Sequence, residues 1–325
     1  MARTIEAVRL SVDDTSSETS KPTALSPEVL GHAAAELARQ PELIIQQLDE
    51  VQTEMDGLRD EINLLRRRDE TLNFYMHRLD EELRLAARLQ QDFLPKVLPT
   101  LGSARFHTLF RPAGYVSGDL YDVMRLDERH VGFYIADAVG HGMPAALLTM
   151  FIKHALVTKE IMNGGYRLLK PSEALSRLNE AILEQNLSQA TFATAIYGMI
   201  DVQTNEVMLS GAGHPVPLIL RANGQIEPVS AEGSLLGIFP GETFTDRGVQ
   251  LERGDKLVLY TDGIEVAFGS AEDESEGEQW RTELSLRRSL SAEKLVAEFS
   301  QSLDGANGSL EPRDDLTMVI LEINS

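Results

Sequence analysis

The chain has 325 residues, 42% of them apolar and none of them cysteine, and carries a formal net charge of -21. That size allows at least one sizeable core with residues left over for an appended segment. The lack of cysteine excludes disulfides, thiolate metal sites and cysteine nucleophiles, and the acidity argues against nucleic acid or anionic membrane as partners. Any metal must then be held by oxygen or imidazole, which makes hard cations the natural candidates. No apolar run reaches the roughly 18 residues needed to span a bilayer, and Met1 to Ser20 has no apolar core of the signal-peptide kind. A soluble, cytoplasmic protein is expected.

Residues 1–25 hold Asp13, Asp14 and a Ser/Thr-rich run without periodicity, and read as a disordered tail. Residues 26–94 read as a helical linker. From Ile44, apolar residues recur at spacings of four and three: Leu48, Val51, Met55, Leu58, Ile62, Leu65, then Leu72, Met76, Leu79, Leu83 and Ala86. This is a heptad seam of about six repeats with Asp69 as its charged interruption, on a helix ending near Phe93, Leu94 and Pro95. A narrow stripe must be buried against something. Its strict spacing favours a parallel coiled-coil homodimer, the alternative being a helix folded back on the chain's own globular part.

Residues 95–325 change to short apolar runs separated by Gly, Pro and Asp turns. Val131 to Ala136, Thr194 to Ile200, Glu206 to Ser210, Pro217 to Leu220, Lys256 to Tyr260 and Leu316 to Ile323 read as strands. Pro144 to Thr158 and Ser172 to Glu184 read as helices, the second capped by Ser172 after Pro171. Many strands with helices in pairs predict an α+β layered domain. The acidic stretch Gly269 to Gln279 reads as a surface loop.

Four segments place aspartate beside glycine or at a strand end: Val116-Ser-Gly-Asp-Leu-Tyr-Asp122, Ile135-Ala-Asp-Ala-Val-Gly-His-Gly142, Leu259-Tyr-Thr-Asp-Gly263 and Arg313-Asp-Asp-Leu-Thr317. One Asp-Gly is usually only a turn. Asp137 and Asp262, however, each follow an apolar strand that delivers the carboxylate to its end. Converging carboxylates repel one another strongly at low dielectric unless cations lie between them, and oxygen-only ligands suit magnesium or manganese.

Taken in order, and with Gly211-Ala-Gly-His-Pro215 between them, these motifs resemble the SpoIIE/RsbU-type branch of the PPM metal-dependent protein phosphatases, over about Leu89 to Leu321. The resemblance implies an α-β-β-α sandwich of two antiparallel sheets flanked by helices, preceded here by the coiled-coil helix. It implies two Mn2+ or Mg2+ ions bridged by Asp137, one contacted by the backbone carbonyl of Ala138, with Asp119, Asp262 and Asp314 completing the site. Asp314 is favoured over Asp315 as the ligand, and Asp122 is either a helper behind the ligands or a strand cap. The implied reaction is attack on phosphorus by a water that the ions acidify, without a protein nucleophile. The implied substrate is a phosphoserine or phosphothreonine on an anti-sigma-factor antagonist.

The sequence departs from eukaryotic relatives where Val139 replaces a histidine that could protonate the leaving oxygen. His141 and His214 read as structural residues, and Arg111 as a surface residue rather than a phosphate ligand. By the same resemblance, coiled-coil geometry acts through helices 144–158 and 172–184 to set the metal site, with the signal arriving from a separate regulator or through the tail. The rival readings are a catalytically idle phosphatase-like dimeric scaffold and an effector-binding module.

Overall fold

The computed structural model of the protein describes residues 27–186, 191–268, 276–305 and 314–324. The expected tail of residues 1–25 and residues 269–275 of the expected acidic loop lie outside these. The chain divides into two compact units, Met1–His77 and Arg78–Ser325, a boundary earlier than residue 94.

In the first unit the described chain is helical, part of helix α1, Pro27–Phe93, which carries Pro41 inside it. Its seam is open to solvent: Ile44, Leu48, Val51, Met55, Leu58 and Ile62 are 44–62% exposed. Apolar exposure of that regularity marks a face built to be covered.

The second unit takes up the end of α1 and then twelve strands and five helices among the described residues. The strands are β1 Ala104–Arg111, β2 Asp119–Arg125, β3 His130–Ala138, β4 Lys159–Met162, β5 Gly165–Leu168, β6 Ala193–Asp201, β7 Glu206–Ala212, β8 Leu218–Leu220, β9 Ile226–Pro228, β10 Arg247–Gln250, β11 Lys256–Tyr260 and β12 Leu316–Ile323. The helices are α2 Met143–Ala155, α3 Pro171–Glu184, α4 Asp262–Phe268, α5 Glu276–Arg287 and α6 Ala292–Gly305. One antiparallel sheet runs β1-β12-β11-β8-β9, the other β10-β7-β6-β3-β2, and β4-β5 form a separate hairpin.

Side-chain parity explains the layering. Successive strand residues point to opposite faces, so Val131, Phe133 and Ile135 of β3 join Leu257 and Leu259 of β11 and Val319 and Leu321 of β12 in the core between the sheets. Their neighbours Tyr134 and Ala136 instead pack under α2 and α3, against Leu148, Ile152, Leu175 and Leu178. On the other sheet, Val258, Tyr260, Met318 and Ile320 pack under α4, α5 and α6. With both faces buried, these strands are continuous apolar runs rather than alternating ones. The expected α-β-β-α sandwich of two antiparallel sheets flanked by helices is present.

Some boundaries differ from expectation. Helix α2 stops at Ala155 because Leu156 turns extended into the β4-β5 hairpin. Helix α3 starts at Pro171 with Lys170, not Ser172, as its cap: proline suits the first helical position, and the Lys170 amide donates to Glu173 Oε2 at 2.9 Å. The Ser172 hydroxyl and amide both donate to Asp246. Glu276–Gln279, read as loop, opens α5.

Helices α5 and α6 meet the sheet through Trp280, which is fully buried with ring centroids 5.3 Å from Tyr260 and 5.1 Å from Phe299. Trp280→Ala should therefore cost about 3–5 kcal/mol of unfolding free energy in urea titrations. A loss under about 1 kcal/mol, the typical value for an average substitution, would contradict this packing.

Candidate active site

A cavity of about 700 Å3 opens in the second unit, and its lining includes Asp137, Ala138, Gly140, His141, Asp262, Asp314 and Asp315. Three stretches of backbone deliver these groups. Asp137 is next to last in β3, Asp262 is the first residue of α4 directly after β11, and Asp314 precedes β12. The turn after β3 needs glycine: Gly140 and Gly142 have φ of 89° and 75°, a region that strains other residues. Gly263 is required for a different reason. A Cβ there would sit 2.0 Å from the carbonyl oxygen of Asp315, so the absence of a side chain is what lets the Asp262 and Asp314 segments approach.

Asp119 lies beside Asp137 and is more deeply buried. In the β2–β3 register it lies opposite Asp137, on the face that points between the sheets. It is 1% exposed and is not among the cavity-lining residues. Its Oδ2 accepts hydrogen bonds from Thr261 Oγ1 at 2.8 Å and Thr317 Oγ1 at 2.6 Å, both from the opposite sheet. One carboxylate thus ties the two sheets together directly beside Asp137. Asp315 is also committed: its Oδ1 accepts from the Ala113 amide at 2.7 Å and its Oδ2 from the Gly118 amide at 2.6 Å. Asp314, by contrast, is exposed at the cavity and accepts the Asp315 amide.

The electrostatics follow from this crowding. Burial, then the charges of Asp262, Asp314 and Asp315, push the Asp137 carboxyl up to about 7. Asp119 is raised well above the usual carboxylate range by burial and by Asp137, against the pull of the two threonine hydroxyls. Asp314 is raised, chiefly by burial. Among the described residues, no lysine or arginine lines the cavity. The donors are oxygens, the local charge is negative, and a magnesium- or manganese-like ion suits them. Among the described residues no three acidic or imidazole groups already stand together as an ion cage.

Of the other expected residues, Arg111, Asp122 and His214 are not among those lining the cavity, whereas Val139 and His141 are. Arg111 is bound to α6 through Asp304 Oδ1 at 2.7 Å and Ser300. Asp122 pairs with Lys153 of α2 and accepts the Val123 amide at 2.8 Å. His214 is 8% exposed with Nδ1 2.7 Å from Thr194 Oγ1, and Thr194 is the register partner of Asp137. Val139 and His141 are exposed on the cavity lining. Sequence reasoning missed Thr261, Thr317 and the amide-binding role of Asp315. The signal was present: both threonines stand in apolar strand runs at positions of inter-sheet parity.

The fold is that of a PP2C phosphatase domain. The structure of the SiaA-PP2C domain of Pseudomonas aeruginosa superposes with a TM-score of 0.65 at 22% identity, over 77% of this chain and 98% of that one. The chain belongs to the Stage II sporulation protein E (SpoIIE) family, which residues 127–324 match. Among individual proteins it is similar to phosphoserine phosphatase RsbU of Bacillus subtilis, 29% identical over 60% of this chain and 56% of RsbU. It is also similar to phosphoserine phosphatase RsbP of the same organism, 30% identical over 56% of this chain and 45% of RsbP. The chain thus spans about half the length of these relatives. Among the described residues, no helix is long and apolar enough to cross a membrane.

Burial pushes the His214 imidazole down to about 3, so the folded protein holds it neutral. As pH falls below the ordinary value of about 6.5, the unfolded chain takes up the proton first, and the stability held by neutral His214 is lost from there toward pH 3. Urea titrations of wild type and His214→Gln should show the difference between them shrinking by about 2 kcal/mol from pH 7 to pH 5, at about 1.4 kcal/mol per unit below 6.5. A difference constant with pH would place His214 in a solvated, chargeable setting.

Proposed function

We propose that the protein is a metal-dependent phosphoserine/phosphothreonine protein phosphatase. The observation that carries this reading is Asp137, at the end of β3 and pushed up to about 7 by burial and then by three neighbouring carboxylates in one cavity of a PP2C fold. Asp137, the Ala138 carbonyl, Asp262 and Asp314 would hold two Mn2+ or Mg2+ ions. When bound, the ions supply charge neutralisation on the phosphoryl oxygens and acidity to the attacking water. Asp315, with both oxygens on backbone amides, holds the cavity wall, which supports Asp314 as the ligand of the pair. Asp119, the cross-strand neighbour of Asp137, would complete the ion site from β2, with its Oδ2 held by Thr261 and Thr317. His141 lines the cavity two residues beyond Val139, and protonation of the leaving group is assigned to no residue.

The names of RsbU and RsbP support a phosphoserine protein as substrate, and the family resemblance supports an anti-sigma-factor antagonist in a partner-switching pathway. The exposed seam of α1 supports a parallel homodimer whose geometry regulates the site, with a separate upstream regulator or the tail as its input. No nucleic acid or membrane partner is invoked, in keeping with the net charge of -21.

Hydrolysis of p-nitrophenyl phosphate should require added Mn2+ or Mg2+, and Asp137→Asn should lower kcat by more than about 100-fold, the upper range for changes outside the ligand set. Wild type inactive across both metals would overturn the enzyme reading in favour of a binding scaffold. Light scattering at micromolar concentration should return twice the chain mass, and Leu58→Asp with Ile62→Asp, placing charges in the seam, should return the monomer. A monomeric wild type would refute the coiled-coil dimer.

A further inference from the structure

The wall of the cavity formed by Ala113 to Val116 continues through Ser117 and Gly118 into Asp119. This segment is held from three directions. Asp315 takes the Ala113 and Gly118 amides. The Ala138 amide donates to the Gly118 carbonyl at 3.0 Å, joining the segment to the end of β3. The third hold comes from α1. Gln90 Nε2 donates to the Ser117 carbonyl at 2.7 Å, and the Ser117 amide donates to Gln90 Oε1 at 2.8 Å. The Ser117 hydroxyl then accepts the Asp119 amide at 3.0 Å.

Gln90 is 5% exposed, and so carries a buried amide that is fully matched to one residue's backbone. Only a carboxamide presents a donor and an acceptor side by side; alanine presents neither and glutamate only acceptors. Gln90 also continues the seam: Leu79, Leu83, Ala86 and Gln90 follow the same four-three-four spacing. Leu79 is exposed, Leu83 and Ala86 are half-buried, Leu83 lines the cavity, and Gln90 is buried. The stripe that is apolar and open earlier in α1 thus becomes, within the second unit, a packing face ending in a polar clamp.

We propose that Gln90 is a positioning residue for the phosphatase reaction, holding segment 113–119 in the register that backs Asp137 and shapes the cavity wall. This rests on the phosphatase reading and assigns α1 a constructive part in the site. Removing the carboxamide leaves the Ser117 amide and carbonyl buried without partners, which the segment relieves by moving. Asp119 and the Asp315 hold move with it.

The test uses the full chain as wild type, Gln90→Ala and Gln90→Glu, the last preserving size should the first not fold. Amide hydrogen exchange over residues 113–119 should accelerate by about tenfold or more. Calorimetric Mn2+ binding should weaken by about 10- to 100-fold, the range for residues outside the ligand set. The kcat for p-nitrophenyl phosphate should fall at saturating Mn2+, while the thermal midpoint without metal stays within a few degrees. A purely structural residue would lower the midpoint and leave Mn2+ affinity of the folded fraction unchanged, and that result overturns the proposal. So does wild-type exchange and Mn2+ binding in a folded variant. Should wild type itself be inactive, the phosphatase reading falls, and exchange with Mn2+ binding still judge the clamp.

Discussion

Asp137 is pressed by Asp262, Asp314 and Asp315 in a cavity lined by no lysine or arginine among the described residues, and much of the second unit can be understood as what holds that unfavourable grouping in place. Like charges brought together out of water raise one another's pKa and oppose the compact state. The protein assembles them nonetheless, by attaching each to a different rigid element. Asp137 lies at the end of a strand buried on both faces, Asp262 opens a helix that Gly263 lets lie against Asp315, and Asp314 leads into β12, an inner strand of the other sheet. The packing of the sandwich supplies the free energy that side-chain electrostatics alone would not.

The internal polar groups are arranged to serve this. Asp119 would be a costly buried anion if left alone, and two threonine hydroxyls from the facing sheet reduce that cost. Its bonds cross the inter-sheet layer where the surrounding core is otherwise aliphatic and aromatic. Asp315 uses both oxygens on backbone amides, so a second carboxylate is spent on fixing the cavity wall. Of the aspartates the sequence brings forward, some therefore face the cavity and others hold up those that do.

The strands buried on both faces were the legible part of the fold. Their apolar runs have abrupt ends, and Lys256–Tyr260 and Leu316–Ile323 coincide with β11 and β12. Strand β1 went unread because Arg105 and His107 interrupt its apolar residues, and α5 because its first turn lies inside an acidic stretch. The carboxylate motifs were legible as a group through their order along the chain. What each aspartate does was not: Asp119 meets Thr261 and Thr317 across 142 and 198 residues of sequence, and only the registry of two sheets decides which carboxylate faces inward. Gln90 stands beside Gln91 in a helix rich in polar residues, and nothing local separates a buried clamp from a solvated face.

Helix α1 shows how one periodic pattern can carry two different environments. A four-three spacing fixes only which residues share a helical face; it leaves open what covers that face. Through Leu79 the face is exposed, and from Leu83 it is progressively buried, ending at an amide that accepts no neighbour except backbone in matching orientation. Each residue along an α-helix is rotated about 100° from the last. A small axial rotation of α1 would therefore withdraw Gln90 from Ser117 while leaving the helix itself intact. Aliphatic contacts tolerate such slippage because they have no direction, whereas paired hydrogen bonds do not. Ending the stripe in a carboxamide rather than another leucine gives this end of the face a directional contact with the cavity wall, which a purely hydrophobic seam would not do.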